Sequence, residues 1–312
     1  MTRSHVYGPV PSRRLGLSLG VDLVPRKVCS YDCVYCQLGR TTRLTVDRSP
    51  FVDPQRVAAE VEQALARGPR PEVITLAGSG EPTLCDDLEQ VVAELRRVTD
   101  LPLCLLTNGG LLWQEPVARA AFALDLVAPS LDAADEQTYR RINRPHESID
   151  FSTMLAGLRD FCRRFEGRCQ LEVMLVAGIN DSAAALDALA RLVSSLEVDS
   201  VDLNSVMRPP AEAGVTGLDP DGLERALVRF ASCPARVIVP FDSRSGAEQV
   251  DRGRTRERIL ETVARRPCTV SDLSTALGAP VELVRTLCRA AVKAKELTEE
   301  PSSGGEPYYL RR

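Results

Sequence analysis

A chain of 312 residues, 44% hydrophobic and 26% charged with a net charge of −4, is long enough for two domains and apolar enough to bury a full core. It has no apolar run of membrane-spanning length, and its first residues lead into a Gly/Pro-rich stretch with no signal-peptide core, so a cytoplasmic protein without a membrane partner is expected. Ten cysteines in a chain this long exclude a small secreted disulfide scaffold; 12 of the 39 Lys/Arg but only 8 of the 43 Asp/Glu lie from Arg252 onward, a basic tail on an acidic body.

Residues 8–14 hold two prolines and a glycine and cannot form a regular helix. Residues 15–24 alternate, with Leu15, Leu17, Leu19, Val21 and Leu23 on one face and Gly16, Ser18, Gly20 and Asp22 on the other, which predicts a strand stopped by Pro25. A cysteine-rich loop follows. Helices are predicted over 54–67, 84–98, 116–123, 133–142, 151–165, 182–196 and 220–231, the sixth capped by Asp181. Strands are predicted between them over 72–77, 103–106, 126–131, 171–176, 200–206 and 236–239. Such alternation implies an α/β fold with a parallel sheet under helices, either a partial barrel or a doubly wound sheet. Polar and glycine-rich turns recur at the carboxyl ends of the strands, where such sheets place ligands.

The cysteine loop carries Cys29, Cys33 and Cys36 at C-x₃-C-x₂-C spacing. Three thiols within eight residues can serve one soft metal centre but leave a tetrahedral site one ligand short. The next cysteine is Cys85, and neither His5 nor His146 is a neighbour in sequence. A zinc knuckle with a distant partner and an iron–sulfur cluster both fit this spacing, the latter leaving one iron free for another ligand. The remaining seven cysteines are scattered among apolar neighbours and read as buried thiols.

Cys29, Cys33 and Cys36, with Tyr35 before the last, resemble the signature of the radical S-adenosylmethionine (SAM) superfamily. The resemblance covers roughly residues 5–250 and implies a partial (open) parallel β/α barrel. It also implies one [4Fe–4S] cluster on the three cysteines, with SAM bound at the fourth iron by its amino and carboxylate groups. Reductive cleavage of SAM would give methionine and a 5′-deoxyadenosyl radical that abstracts hydrogen from substrate. By the same resemblance Tyr35 lies near the adenine, and Gly78, Gly80 and Glu81 in the Gly-Ser-Gly-Glu turn receive the SAM amino group. Asn108, Ser130 and Asp132 occupy further SAM-binding positions, and an electron donor such as flavodoxin or ferredoxin is implied. The stretches Tyr7-Gly-Pro-Val-Pro-Ser-Arg-Arg-Leu-Gly and Cys33-Val-Tyr-Cys-Gln-Leu-Gly are similar to the 4-demethylwyosine synthase-like group. That synthase uses a second cluster on upstream cysteines and a lysine that engages pyruvate. Here no cysteine precedes Cys29 and the lysines are Lys27, Lys293 and Lys295, so a different reaction is expected. Glu172, Asn204 and Arg208 are further candidates to meet substrate, and Arg140, Arg141 and Arg144 form a small basic group.

The tail changes character. Three helical stretches, over 255–265, from Ser271 as cap to Gly278, and from Pro280, are followed by a hairpin signal around Ser-Ser-Gly-Gly, the element order of a winged helix-turn-helix. Arg285, Arg289 and Lys293 make a basic stripe on the third helix that suits nucleic acid or a protein partner. The expected division is 1–250 for the core and 251–312 for the winged helix. The leading expectation is an enzyme acting on a macromolecule such as RNA (tRNA). The alternatives are an activating enzyme that places a radical on a partner protein, and an iron–sulfur DNA-binding regulator without turnover.

Overall fold

The computed structural model describes residues 4–238, 252–277, 279–302 and 305–311. Strand β1 (Val6–Ser12) turns back antiparallel onto β2 (Gly16–Val21), with a register irregularity between Tyr7 and Val10 where Gly8 and Pro9 interrupt the ladder. Sequence reasoning excludes a regular helix over residues 8–14, and residues 8–12 complete β1 instead: the strand is at the sheet edge, where a bulge tolerates a residue that cannot donate. Two short strands, β3 (Val28–Cys29) and β4 (Arg43–Leu44), pair parallel within the cysteine loop.

Helix α1 (Pro54–Arg67) starts where sequence predicts: Pro54 fits the first turn, and the Asp53 carboxylate accepts from the backbone N–H groups of Gln55 and Arg56. The body continues as β5 (Val73–Leu76), a 3₁₀ turn (Pro82–Leu84), α2 (Leu88–Val98), β6 (Leu103–Thr107), α3 (Glu115–Phe122) and β7 (Leu126–Pro129). It proceeds through α4 (Glu136–Ile142), α5 (Phe151–Arg164), β8 (Arg168–Leu175), α6 (Ala183–Val193), β9 (Ser200–Ser205), α7 (Pro220–Arg229) and β10 (Ala235–Val237). Helix α6 is capped by Ser182, whose hydroxyl accepts from Ala185 N–H. Asp181, the expected cap, instead accepts from Gly178 N–H in the preceding turn.

The eight-stranded sheet has the order β1-β2-β5-β6-β7-β8-β9-β10, and every pairing from β2 onward is parallel. Right-handed crossovers that always step the same way place all the helices on one side, so the sheet curls around its other face. A doubly wound sheet needs a reversal in strand order, and the described strands have none. The body is therefore an open β/α barrel.

Each strand sorts its residues by period 2. In β8, Cys169, Leu171, Val173 and Leu175 join the apolar core under the helices, each Leu or Val contributing about 1.5–3 kcal/mol by burial. Gln170 and Glu172 turn to the polar interior, where they bond Asp202 and Asn204 of β9.

The tail consists of α8 (Arg252–Val263), α9 (Val270–Leu277), α10 (Val281–Lys293) and the antiparallel pair β11 (Leu297–Glu300) and β12 (Tyr308–Arg311). Thr269, and not the expected Ser271, starts α9: its hydroxyl accepts from Asp272 N–H, while the Asp272 carboxylate accepts from Thr269 N–H, a reciprocal cap. The expected boundary at 250, the end of the 236–239 strand, Gly278 and part of the hairpin turn lie outside the described residues. The tail's apolar cluster includes Val10 of β1, so the tail packs directly on the edge strand. Arginines seal that contact: Arg258, Arg265 and Arg266 donate to the carbonyls of Gly8, Ser4 and Pro11. Covering an exposed strand edge removes a site for unwanted pairing.

Candidate active site at the carboxyl ends of the parallel strands

The cysteine loop leaves the end of β2 at Asp22, a buried carboxylate that accepts from the backbone N–H (3.1 Å) and hydroxyl (2.5 Å) of Ser79. This ties the loop to the Gly78-Ser79-Gly80 turn after β5. Lys27 N–H donates to Ser79 C=O and Glu81 N–H to Val28 C=O. A side chain at Gly78 would strike the Asp22 carboxylate, and one at Gly80 the Val28 carbonyl. Both glycines are thus required by the approach of two loops, as well as lining the cavity described below. On its far side the loop is pinned to the end of α4, where Asp32 N–H and Val34 N–H donate to the carbonyls of Asn143 and Ile142.

Each of the three sulfurs has a nitrogen donor. Cys29 Sγ lies 3.4 Å from the backbone nitrogen of Tyr31 and 3.6 Å from Asn108 Nδ2. Cys33 Sγ is 3.8 Å from Asn143 Nδ2, and Cys36 Sγ is 3.1 Å from Lys27 Nζ. Burial pushes the Cys29 thiol up to about 12, with Glu81 adding to the effect, and burial likewise raises Cys33. Thiols so desolvated ionise only beside positive charge, which a bound metal centre supplies. Among the described residues no three His, Cys, Asp or Glu side chains gather to hold a single metal ion. Three soft ligands with N–H groups aimed at the sulfurs fit a [4Fe–4S] cluster, whose irons take one thiolate each.

Beside Cys29 and Cys33 opens a cavity of about 320 Å³, the scale of a small-molecule site. Gly78, Gly80, Glu81, Asn108 and Ser130 line it, all from turns at the carboxyl ends of β5, β6 and β7. Glu81 is buried, and its carboxylate accepts from the Thr83 and Thr107 hydroxyls and from the backbone N–H groups of Thr83 and Asn108. Burial raises its pKa in spite of these donors. Three of the bonds reach one oxygen, so the other retains acceptor capacity.

Cys36, Tyr35 and Asp132 stand outside the cavity lining. The Tyr35 hydroxyl donates to Asp132 at 2.6 Å, Asn143 Nδ2 donates to the same oxygen at 2.6 Å, and Met174 N–H to the other at 2.8 Å. Burial lifts the Asp132 carboxyl to about 6. This pair clamps the loop to the end of β7 from behind the cavity.

Lys27, Tyr31 and Asn143 are missed by sequence reasoning. No pattern marks a donor that reaches a sulfur from an ordinary turn, although a lysine two residues before Cys29 is a weak signal. Glu172 and Arg208 line the cavity, with Asn204 bonded to Glu172 behind it. Arg140 and Arg144 pair locally with Glu136 and Glu212, and Arg141 donates to Gly178 C=O. On α10, Arg289 and Lys293 are exposed, while Arg285 lies near Glu282 and Glu306. The other seven cysteines are free thiols, all buried except the half-buried Cys233.

The pattern of the radical SAM superfamily matches residues 23–190. A Brachyspira hyodysenteriae protein described as "GTPase Obg" is 36% identical over 301 residues, 96% of this chain but 44% of that protein. A UPF0026 protein of Methanocaldococcus jannaschii is 37% identical over 208 residues, 66% of this chain and 64% of its own length. The chain thus spans less than two thirds of either relative. A structure of TYW1 with a lysine–pyruvate adduct bound shares the fold, with a TM-score of 0.53 at 17% identity over 72% of this chain and 75% of that one. A signature that covers more than half of the residues, on an open barrel with three donor-lined thiols at its mouth, establishes that this chain belongs to the radical SAM superfamily.

Proposed function

We propose that Cys29, Cys33 and Cys36 hold the [4Fe–4S] cluster of this enzyme, that SAM occupies the adjoining cavity, and that an unidentified substrate, RNA in the leading reading, enters the same space. The observation that carries this reading is the placement of two of the thiols, Cys29 and Cys33, on the wall of a polar cavity at the carboxyl ends of the parallel strands, with Cys36 in the same loop. When bound, the reduced cluster supplies an electron that cleaves SAM to methionine and a 5′-deoxyadenosyl radical able to take hydrogen from substrate.

The chain's own residues orient and shield. Tyr31 N–H and Asn108 steady the Cys29 sulfur, and the Lys27 ammonium offsets negative charge at Cys36. Gly78, Gly80, Glu81, Asn108 and Ser130, which line the cavity, are the proposed polar partners for SAM. Tyr35 and Asp132 act as positioning residues that fix the loop against β7. A small reduced electron-transfer protein of the flavodoxin or ferredoxin type is the proposed donor, and the cytoplasm the proposed compartment. Among the described residues no helix is long and apolar enough to cross a membrane.

The tail, read as a winged helix, is the proposed contact for a macromolecular substrate through Arg285, Arg289 and Lys293. A salt-sensitive RNA gel shift lost in the triple alanine variant supports RNA; binding of a partner protein without RNA binding redirects the reading to protein activation. For the cofactor site, SAM added to the dithionite-reduced protein is expected to change the cluster's electron paramagnetic resonance spectrum. An unchanged spectrum contradicts SAM at the open iron.

A further inference from the structure

The same cavity has a second wall, and it is made of arginines. Arg13 and Arg14 come from the β1–β2 turn, Arg208 from the segment after β9, and Arg265 and Arg266 from the end of α8 in the tail. Only part of this charge is answered. Arg14 pairs with Glu172 at 2.9 Å, Arg265 lies 3.8 Å from Asp22, and Arg208 lies 3.9 Å from Asp272. Among the described residues these five guanidiniums face three paired carboxylates, and the cavity adds one more, the buried Glu81. Arg13 makes no ion pair or hydrogen bond among the described residues, and its Nη1 is buried without a partner. The buried Nε atoms of Arg208 and Arg266 also lack acceptors. Burial lowers the Arg13 pKa to about 10, with repulsion from Arg208 next in size; Arg208 is lowered by burial and then by Arg266.

Desolvated cations that repel one another destabilise a fold unless something binds between them. We propose that this wall is a binding site for a phosphate group of the substrate, which makes the tail part of the active site through Arg265 and Arg266. The proposal rests on the radical SAM reading in that it uses the same cavity. Phosphate is favoured over carboxylate because, among the described residues, guanidiniums outnumber carboxylates here and unpartnered N–H groups come from three separate segments, suited to an anion with several oxygens.

The test is calorimetric titration of inorganic phosphate, and separately of acetate, into the full chain with its cluster reconstituted and SAM saturating. Phosphate is expected to bind at one site, at least tenfold tighter than acetate and at least tenfold weaker in Arg13→Gln and Arg208→Gln. Arg13→Gln is also expected to raise the Tm in the absence of phosphate, because it removes a buried cation with no partner. An arginine that merely supports the fold would lower it. Acetate binding as tightly as phosphate, phosphate affinity unchanged in both variants, or displacement of phosphate by SAM each overturns the proposal; the last would give the arginines to SAM's own carboxylate. Repeating the titration without cluster or SAM separates the two readings. Phosphate binding that persists in a protein unable to bind SAM sinks the cofactor assignment and leaves the anion site standing.

Discussion

The ammonium of Lys27 sits 3.1 Å from the sulfur of Cys36, on a residue only 5% exposed and held in the left-handed backbone region at φ 60°. Its backbone is fixed on both sides, by the Ser79 carbonyl and by the N–H groups of Thr42 and Arg43, so the cation is delivered to the sulfur by loop geometry. A positive charge there stabilises the more negative, reduced state of a cluster. A contact charge pair is worth at most about 4 kcal/mol at an effective dielectric constant near 20, and about 59 mV corresponds to 1.4 kcal/mol for one electron. Lys27→Met is therefore expected to lower the cluster midpoint potential by about 50–150 mV. A redox titration followed by electron paramagnetic resonance reads this; an unmoved potential would show that the contact has no electronic role.

Gly80→Ala tests the contact between the glycine turn and the cysteine loop. The new methyl group would meet the Val28 carbonyl, backbone that cannot step aside without moving Cys29. Overpacking of this kind costs about 1–3 kcal/mol. Lower stability by urea denaturation and less iron retained per chain are expected, whereas full iron content would mean that the turns are not coupled.

Asp132 gives a pH signature. Burial raises its carboxyl from 3.8 to about 6. An acid whose folded-state pKa is raised stabilises the fold fully below its unfolded value, and that contribution is lost as pH rises through the folded value. Between pH 4 and pH 7 the native protein should lose stability relative to Asp132→Asn, most steeply near pH 5, midway between the two values, and little beyond pH 6. Parallel stability curves for the two proteins, compared in the same cluster state, would contradict the assignment.

Glu172→Gln removes the carboxylate that faces Arg14, two side chains that are 17% and 13% exposed. Burial works against ionisation of Glu172, but Arg14, the Asn204 hydrogen bond and Arg13 together outweigh it and hold the carboxyl below its ordinary value. Leaving Arg14 without its partner should cost roughly 3 kcal/mol. Denaturant midpoints of single and double variants measure the pair, and Arg14→Met should recover part of the loss.

The barrel is legible in the sequence because parallel strands buried against helices leave apolar runs, and several turns into a helix carry a capping signature such as Asp53-Pro54. The three cysteines are legible because their spacing is local. β1 is only half legible: two prolines and a glycine exclude a helix over 8–14, but nothing local shows that a sheet edge accepts them as strand. The arginine wall is hidden. Arg13 and Arg266 lie far apart in sequence and share a cavity only because Val10 packs into the tail's apolar cluster. Lys27 and Asn143 escape for the same reason: their task is set by the position of a sulfur, and no sequence period records it.

The central claim is that the three-cysteine loop is the reactive centre, and it is tested most directly by 5′-deoxyadenosine formed per cluster after anaerobic reconstitution with iron and sulfide, then dithionite and SAM. The account predicts measurable 5′-deoxyadenosine from the native chain, none from Cys29→Ala, Cys33→Ala or Cys36→Ala, and near-native yield from Cys85→Ala, whose thiol is buried in the apolar core. An intact cluster that yields no 5′-deoxyadenosine, or a Cys33→Ala variant that yields as much as the native chain, would contradict it.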